Sequence, residues 1–68
     1  MSDKTYKKIE IVGTSDESVS KAISNGIAKA SKTLHNLDWF EVLETRGHIE
    51  GGKIAHYQVK LKLGFRLD

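Results

Sequence analysis

From Ala55 to Leu67 the sequence alternates without a break. Ala55, Tyr57, Val59, Leu61, Leu63, Phe65 and Leu67 occupy the odd positions, while His56, Gln58, Lys60, Lys62 and Arg66 occupy even ones. A period of two is the signature of a strand with one apolar and one polar face. A run of this kind excludes an all-helical fold and requires a partner strand and a cover for its apolar side. Both are found upstream. Glu50-Gly51-Gly52-Lys53 supplies a two-residue hairpin turn whose glycines tolerate positive φ. Asp38 to Glu50 then reads as the long antiparallel partner of a strand running from Lys53 to Leu67.

The first third of the chain supplies the rest. Tyr6 to Gly13 reads as a strand, with Ile9 and Ile11 on one face and Lys8 and Glu10 on the other. Thr14 followed by Glu17 fits a capping box, and Asp16 and Glu17 suit a helix N-terminus. Val19, Ala22, Ile23, Ile27, Ala30 and Leu34 follow at helical spacing, and Asn36 suits a left-handed stop. Asn25-Gly26 interrupts this helix with a pair usually found in hairpins. Gly26 is read as a close-packing point, at a cost of about 1 kcal/mol against Ala. The expected fold is therefore α+β: a β-α-β-β chain in which a three-stranded antiparallel sheet partly wraps one amphipathic helix.

A 68-residue chain forms one domain, 1–68, with a thin core. Below roughly 70–80 residues such cores need disulfides, a metal, exceptional packing or oligomerisation. The chain has no cysteine, and its three histidines, His35, His48 and His56, show no ligand spacing. Association with further copies is what remains. The 11 basic and 9 acidic side chains are interspersed, which gives no footprint for nucleic acid. No leader-like segment follows Met1-Ser2-Asp3-Lys4, and no apolar run approaches the roughly 20 residues that span a bilayer. No Ser-His-Asp grouping or other nucleophile–base set stands out, so an enzyme is not expected. The expected setting is cytoplasmic, with neither membrane nor nucleic acid as partner.

The two-residue turn sets a provisional register: Glu50 opposite Lys53, Val42 opposite Leu61, Phe40 opposite Leu63. Trp39, the single tryptophan, then falls on the outer face opposite Gly64. An indole with no side chain across from it presents an open plane, either to cover a subunit contact or to stack a planar ligand. Glu41 faces Lys62 as a cross-strand ion pair, and Thr45 faces Gln58. The Gln58 amide offers both a donor and an acceptor, as a uracil-like edge requires. Trp39 and Gln58 are about six residues apart along the ladder, roughly 20 Å at ~3.3 Å per residue. A site using both is built across a symmetry axis. Arg46 and His48 are either solvated strand-end residues or a phosphate clamp. Glu44 falls on the core side opposite Val59, where it needs a partner or marks the end of the core.

The blocks IVGTS, TLHNLDWFEVLETRGHIE and AHYQVKLKLGFRLD together resemble the dodecin family over essentially the full length. KLGFRL carries Leu where the family pattern has Val. The resemblance implies a small flavin-binding protein whose twelve subunits form a hollow shell of cubic symmetry. It implies flavins in pairs at two-fold axes, stacked between symmetry-related tryptophans, with a glutamine on the pyrimidine edge. Trp39 matches that tryptophan and Gln58 that glutamine. FMN is the implied flavin, with riboflavin and coenzyme A as further ligands, and storage or sequestration as the implied role. By the same resemblance Arg46 and His48 are assigned to the FMN phosphate, and Glu44 matches an acidic position bordering the site in some relatives. A flavin covered on both faces leaves little room for a substrate. The alternatives are a structural oligomer without flavin and a flavin-dependent redox enzyme.

Overall fold

The computed structural model describes residues 3–68; Met1 and Ser2, which open the segment read above as unlike a leader, lie outside the described residues. The elements run β1 (Tyr6–Ser15), α1 (Val19–Ala30), β2 (Leu37–Glu50) and β3 (Lys53–Arg66). The strands form one antiparallel sheet in the order β1-β3-β2. The cleanly alternating strand is therefore central. Its apolar face makes the core: Val59 and Leu61 are fully buried together with Ala22 of the helix, and Leu63 is 1% exposed. Ile11, Val19, Ile23 and Tyr57 pack around this cluster. Gly26 is a close-packing point, as expected. A Cβ there would lie 3.3 Å from the Gly13 Cα and 3.2 Å from Ile11 Cδ1, and a Cβ on Gly13 would run into the Ala22 carbonyl.

The helix begins later than the sequence suggests. Strand pairing of Thr14 with Gln58 and of Ser15 with Tyr57 holds both residues in β1. The proposed Thr14 box therefore does not form. Ser18 is the N-cap, its hydroxyl accepting from the Lys21 backbone N–H at 3.0 Å, and Asp16 and Glu17 precede the first turn. The helix also ends sooner, at Ala30, so Leu34 and His35 lie beyond it. Asn36 does adopt the left-handed conformation, at φ 62°. Its role is to clip the chain end: its backbone carbonyl accepts from Arg66 N–H at 3.1 Å, and its amide donates to Asp68 Oδ1 at 2.8 Å.

The β2–β3 register departs from uniform alternation at three places, the first at Asp38, which lies unpaired between Leu37–Phe65 and Trp39–Gly64. Trp39–Gly64, Phe40–Leu63, Glu41–Lys62 and Val42–Leu61 pair as expected, as do Ile49–Ile54 and Glu50–Lys53. Between them the ladder slips by one residue, with an unpaired Leu43 on β2 and an unpaired Ala55 on β3. In this window Glu44 faces Lys60, Thr45 faces Val59, Arg46 faces Gln58, and His48 faces His56. The expected Glu44–Val59 and Thr45–Gln58 pairs are thus corrected by β-bulges, which insert one residue and turn the following side chains over.

The helix lies over β1 and β3, so the inner face of β2 has no cover. Phe40 is 46% exposed and Val42 47%. The chain measures 56 × 20 × 14 Å with a radius of gyration of 14.2 Å. A compact chain of this length has about 11 Å. Its 5023 Å² of accessible surface likewise exceeds the roughly 4,300 Å² usual for this mass. The chain is extended and leaves much apolar surface uncovered. Among the described residues, no helix is long and apolar enough to cross a membrane.

Candidate functional site

The outer face of the sheet carries two groups of candidate side chains. At one end Trp39 lies over the backbone of Gly64, where a Cβ would overlap ring atoms Cε2, Cζ2 and Cη2. Glycine is required here for close approach, with no demand on φ. Trp39 remains 38% exposed, so its ring is an open plate resting on the sheet. Tyr6, from the far strand β1, meets it edge-on with centroids 5.3 Å apart and an interplanar angle of 66°. The indole Nε1–H donates to Glu41 Oε2 at 2.9 Å. Lys8 completes the group, its ammonium 3.0 Å from the same Glu41 oxygen.

These contacts set the electrostatics. The Trp39 N–H, then the Lys8 ammonium, hold the Glu41 carboxyl below its ordinary value. Lys62 adds a weaker attraction. Glu41 does face Lys62 in the ladder, but its ion pair is formed with Lys8. Tyr6 and Lys8 were not foreseen as neighbours of the tryptophan. The signal was available in part. Lys8 was assigned to the outer face, but β1 had no register against β3 until the strand order was known.

The second group lies toward the hairpin. The Leu43 bulge puts Glu44, Arg46 and His48 on the same face as Gln58 and His56. Uninterrupted alternation would have sent all three toward the helix side. Arg46 is directly opposite Gln58. The Gln58 amide nitrogen, which can only donate, lies 3.3 Å from His56 Nε2. The His56 ring stacks on His48 with centroids 5.4 Å apart. His48 Nε2 in turn lies 3.7 Å from Glu50 Oε2. One amide donor of Gln58 is thereby anchored, and among the described residues its carbonyl and second N–H have no side-chain partner.

Glu44, Arg46, His48 and Gln58 thus come together, and Trp39 does not join them. Six β3 positions separate Gly64, under the indole, from Gln58. That is about 20 Å at ~3.3 Å per residue, with Lys60 and Lys62 on the same face between them. A planar ligand cannot touch both from one chain. The chemistry of the two groups nonetheless fits a flavin: a flat aromatic plate for the ring system, an amide for its imide edge, and an arginine fork for a phosphate. Among the described residues no cluster of His, Asp and Glu is arranged to hold a metal ion.

Comparison with known proteins gives a consistent result. The family model described as Dodecin matches residues 5–68. A dodecin of Thermus thermophilus is 54% identical over 65 residues, covering 96% of this chain and 94% of that protein. The solved dodecin from Streptomyces davaonensis is 63% identical, with a TM-score of 0.95 and 98% of each chain covered. The dodecin from Streptomyces coelicolor is 56% identical, with a TM-score of 0.95 over 100% of this chain and 97% of that one. With sequence, topology and fold in agreement over nearly the whole length, the chain belongs to the dodecin family, whose general role is to bind flavin.

Proposed function

We propose that this chain, as one domain over residues 1–68, binds and sequesters FMN within a hollow homo-dodecamer. Flavins stack in pairs between Trp39 side chains of symmetry-related subunits. The observation that carries this reading is the exposed indole laid flat on Gly64. A core tryptophan would be enclosed, and a solvated one would have no need of a glycine beneath it. The distance from Trp39 to Gln58 supports a site shared between subunits, with Gln58 of one chain reaching the pyrimidine edge of a flavin held by another. Arg46 and His48 meet the phosphate, and Glu44 borders the site. Riboflavin occupies the same stack without the phosphate contact. Coenzyme A is a further ligand on the strength of the family resemblance. A cytoplasmic location and a non-catalytic role complete the proposal, since a ring covered on both faces offers no approach to a substrate.

Each aromatic contact in such a stack contributes ~0.5–1.5 kcal/mol beyond the burial of area. A close indole also quenches flavin fluorescence, which gives the assay. Flavin-free protein is titrated into FMN and the fluorescence followed. Saturating quenching near one flavin per chain is expected, and Trp39→Ala is expected to abolish it. Undiminished affinity in that variant would falsify the stacking arrangement. No quenching by the parent protein at micromolar concentration would leave a structural oligomer as the function.

A further inference from the structure

We infer that Glu41 and Lys8 are positioning residues that hold the Trp39 indole flat on the sheet before any ligand arrives. This rests on the flavin-stacking reading above and deepens it. A surface tryptophan has two free side-chain torsions, and a plate that swings loses part of its binding free energy to ordering. Here the ring is fixed at three places. Gly64 supplies a floor, with room for the ring only because it has no Cβ. Tyr6 abuts one edge. The Glu41 carboxylate accepts the indole N–H at 2.9 Å on the same side of the sheet.

Glu41 is itself anchored. Lys8 donates to both of its oxygens, at 3.0 and 3.3 Å. Lys8 pairs with Gly64 in the β1–β3 ladder, and Trp39 pairs with Gly64 in the β2–β3 ladder. Lys8, Gly64 and Trp39 therefore form one row across the whole width of the sheet, with no side chain at its centre. An exposed ion pair adds little to stability by itself. Its effect here is geometric: the ammonium draws the carboxylate across the sheet to where the indole N–H meets it, even though Lys62 is the residue opposite Glu41 in the ladder. A carboxylate is also the acceptor best suited to this task, because hydrogen bonds to an ionised group are shorter and stronger than neutral ones.

The test combines a ligand-free readout with a binding one. The single tryptophan gives one indole N–H cross-peak in a ¹H–¹⁵N spectrum. In the flavin-free protein this peak is expected at a hydrogen-bonded position. Glu41→Ala should move it to that of a water-exposed indole and raise the FMN Kd about threefold to tenfold. Glu41→Gln, which keeps an acceptor oxygen but loses the pull of Lys8, should fall between. Lys8→Met, which leaves Glu41 in place, should shift the peak in the same direction by less. An unmoved peak in Glu41→Ala overturns the inference, as does a moved peak with FMN affinity within about twofold of the parent. If the parent binds no FMN, the flavin reading fails while the indole peak still decides the positioning: a parent peak already at the exposed position overturns it. Should Glu41→Ala not fold, the Lys8→Met peak and affinity decide by the same criteria.

Discussion

Gly64→Ala separates the folding of this chain from its binding of flavin. The added methyl would overlap three atoms of the Trp39 ring, so the ring must retreat by about 1 Å to reach ordinary contact. The backbone tolerates the change, because Gly64 does not adopt positive φ. Alanine in a strand interior gains roughly 0.5–1 kcal/mol over glycine by restricting the unfolded chain. The disturbed Trp39–Tyr6 edge contact loses a similar amount, about 0.5–1.5 kcal/mol. Thermal stability should therefore stay nearly constant. Binding should not. In a stack closed by two symmetry-related indoles, each ring raised by about 1 Å narrows the gap by about 2 Å, more than half the ~3.5 Å thickness of a ring. The flavins are squeezed or the indoles tilt, and stacking on both is forfeited. A loss near 2 kcal/mol, about thirtyfold in Kd, is the expected size. FMN fluorescence titration gives the affinity, and thermal melting with size-exclusion chromatography checks fold and assembly. A Gly64→Ala protein that assembles normally and binds FMN within about threefold of the parent would refute the reasoning.

Other consequences are open to measurement. Arg46→Ala should weaken FMN about threefold to thirtyfold while leaving riboflavin nearly unchanged, as expected of a charge-assisted phosphate contact; an equal loss for both ligands by fluorescence titration rules out the phosphate role. Ser18→Ala should lower stability by about 0.5–2 kcal/mol in denaturant unfolding, because it removes the helix cap, and Thr14→Ala should not reproduce that cap loss. Glu41 also links stability to pH. Its carboxyl is held below the ordinary value by Trp39 first and Lys8 second, with Lys62 adding attraction. The contribution is thus fully present above the unfolded-state value and disappears as pH falls through the lower folded-state value. Acid melting curves of the parent and Glu41→Gln should converge below that range, and curves that stay parallel throughout would contradict the linkage.

The fold was legible because its strongest signals are periodic. The thirteen-residue alternation ending at Leu67 could only be a strand, and Gly51-Gly52, both at positive φ, tied it to its partner. The pairing of Trp39 with Gly64 followed from counting back along the hairpin. The same count failed from Glu44 to His48, because a bulge has no composition of its own. Leu43 is as apolar as Val42 before it, and Thr45 and Gly47 are too weakly apolar to reveal the new phase. One trace was visible: the uninterrupted count placed a charged Glu44 opposite Val59, and a carboxylate on a core face signals a broken phase. The helix start was obscured for a different reason. Thr14, Ser15 and Ser18 are all competent caps. The choice among them depends on how far β1 stays paired with β3, which is a tertiary fact. Tyr6 and Lys8 were out of reach for the same reason, since nothing local tells β1 which edge of the sheet it occupies.

The bulges at Leu43 and Ala55 act on this sheet as a pair of compensating frameshifts acts on a reading frame. Leu43 sets β2 one step out, and Ala55 sets β3 one step out to match, so pairing resumes at Ile49–Ile54 as if nothing had been inserted. What is not restored is the face. Every residue of β2 beyond Leu43 stays turned over, which is how Arg46 and His48 come to lie beside Gln58 with Ile49 and Ile54 on the helix side near Val19 and Tyr57. Were Leu43 to take an ordinary paired place in the ladder, composition, hairpin and helix would be untouched, yet the arginine and histidine would be carried through to the opposite surface. Chains of this architecture should therefore vary in length at the hairpin tip or between α1 and β2, and hold a fixed count within each strand, from Trp39 to His48 and from His56 to Gly64.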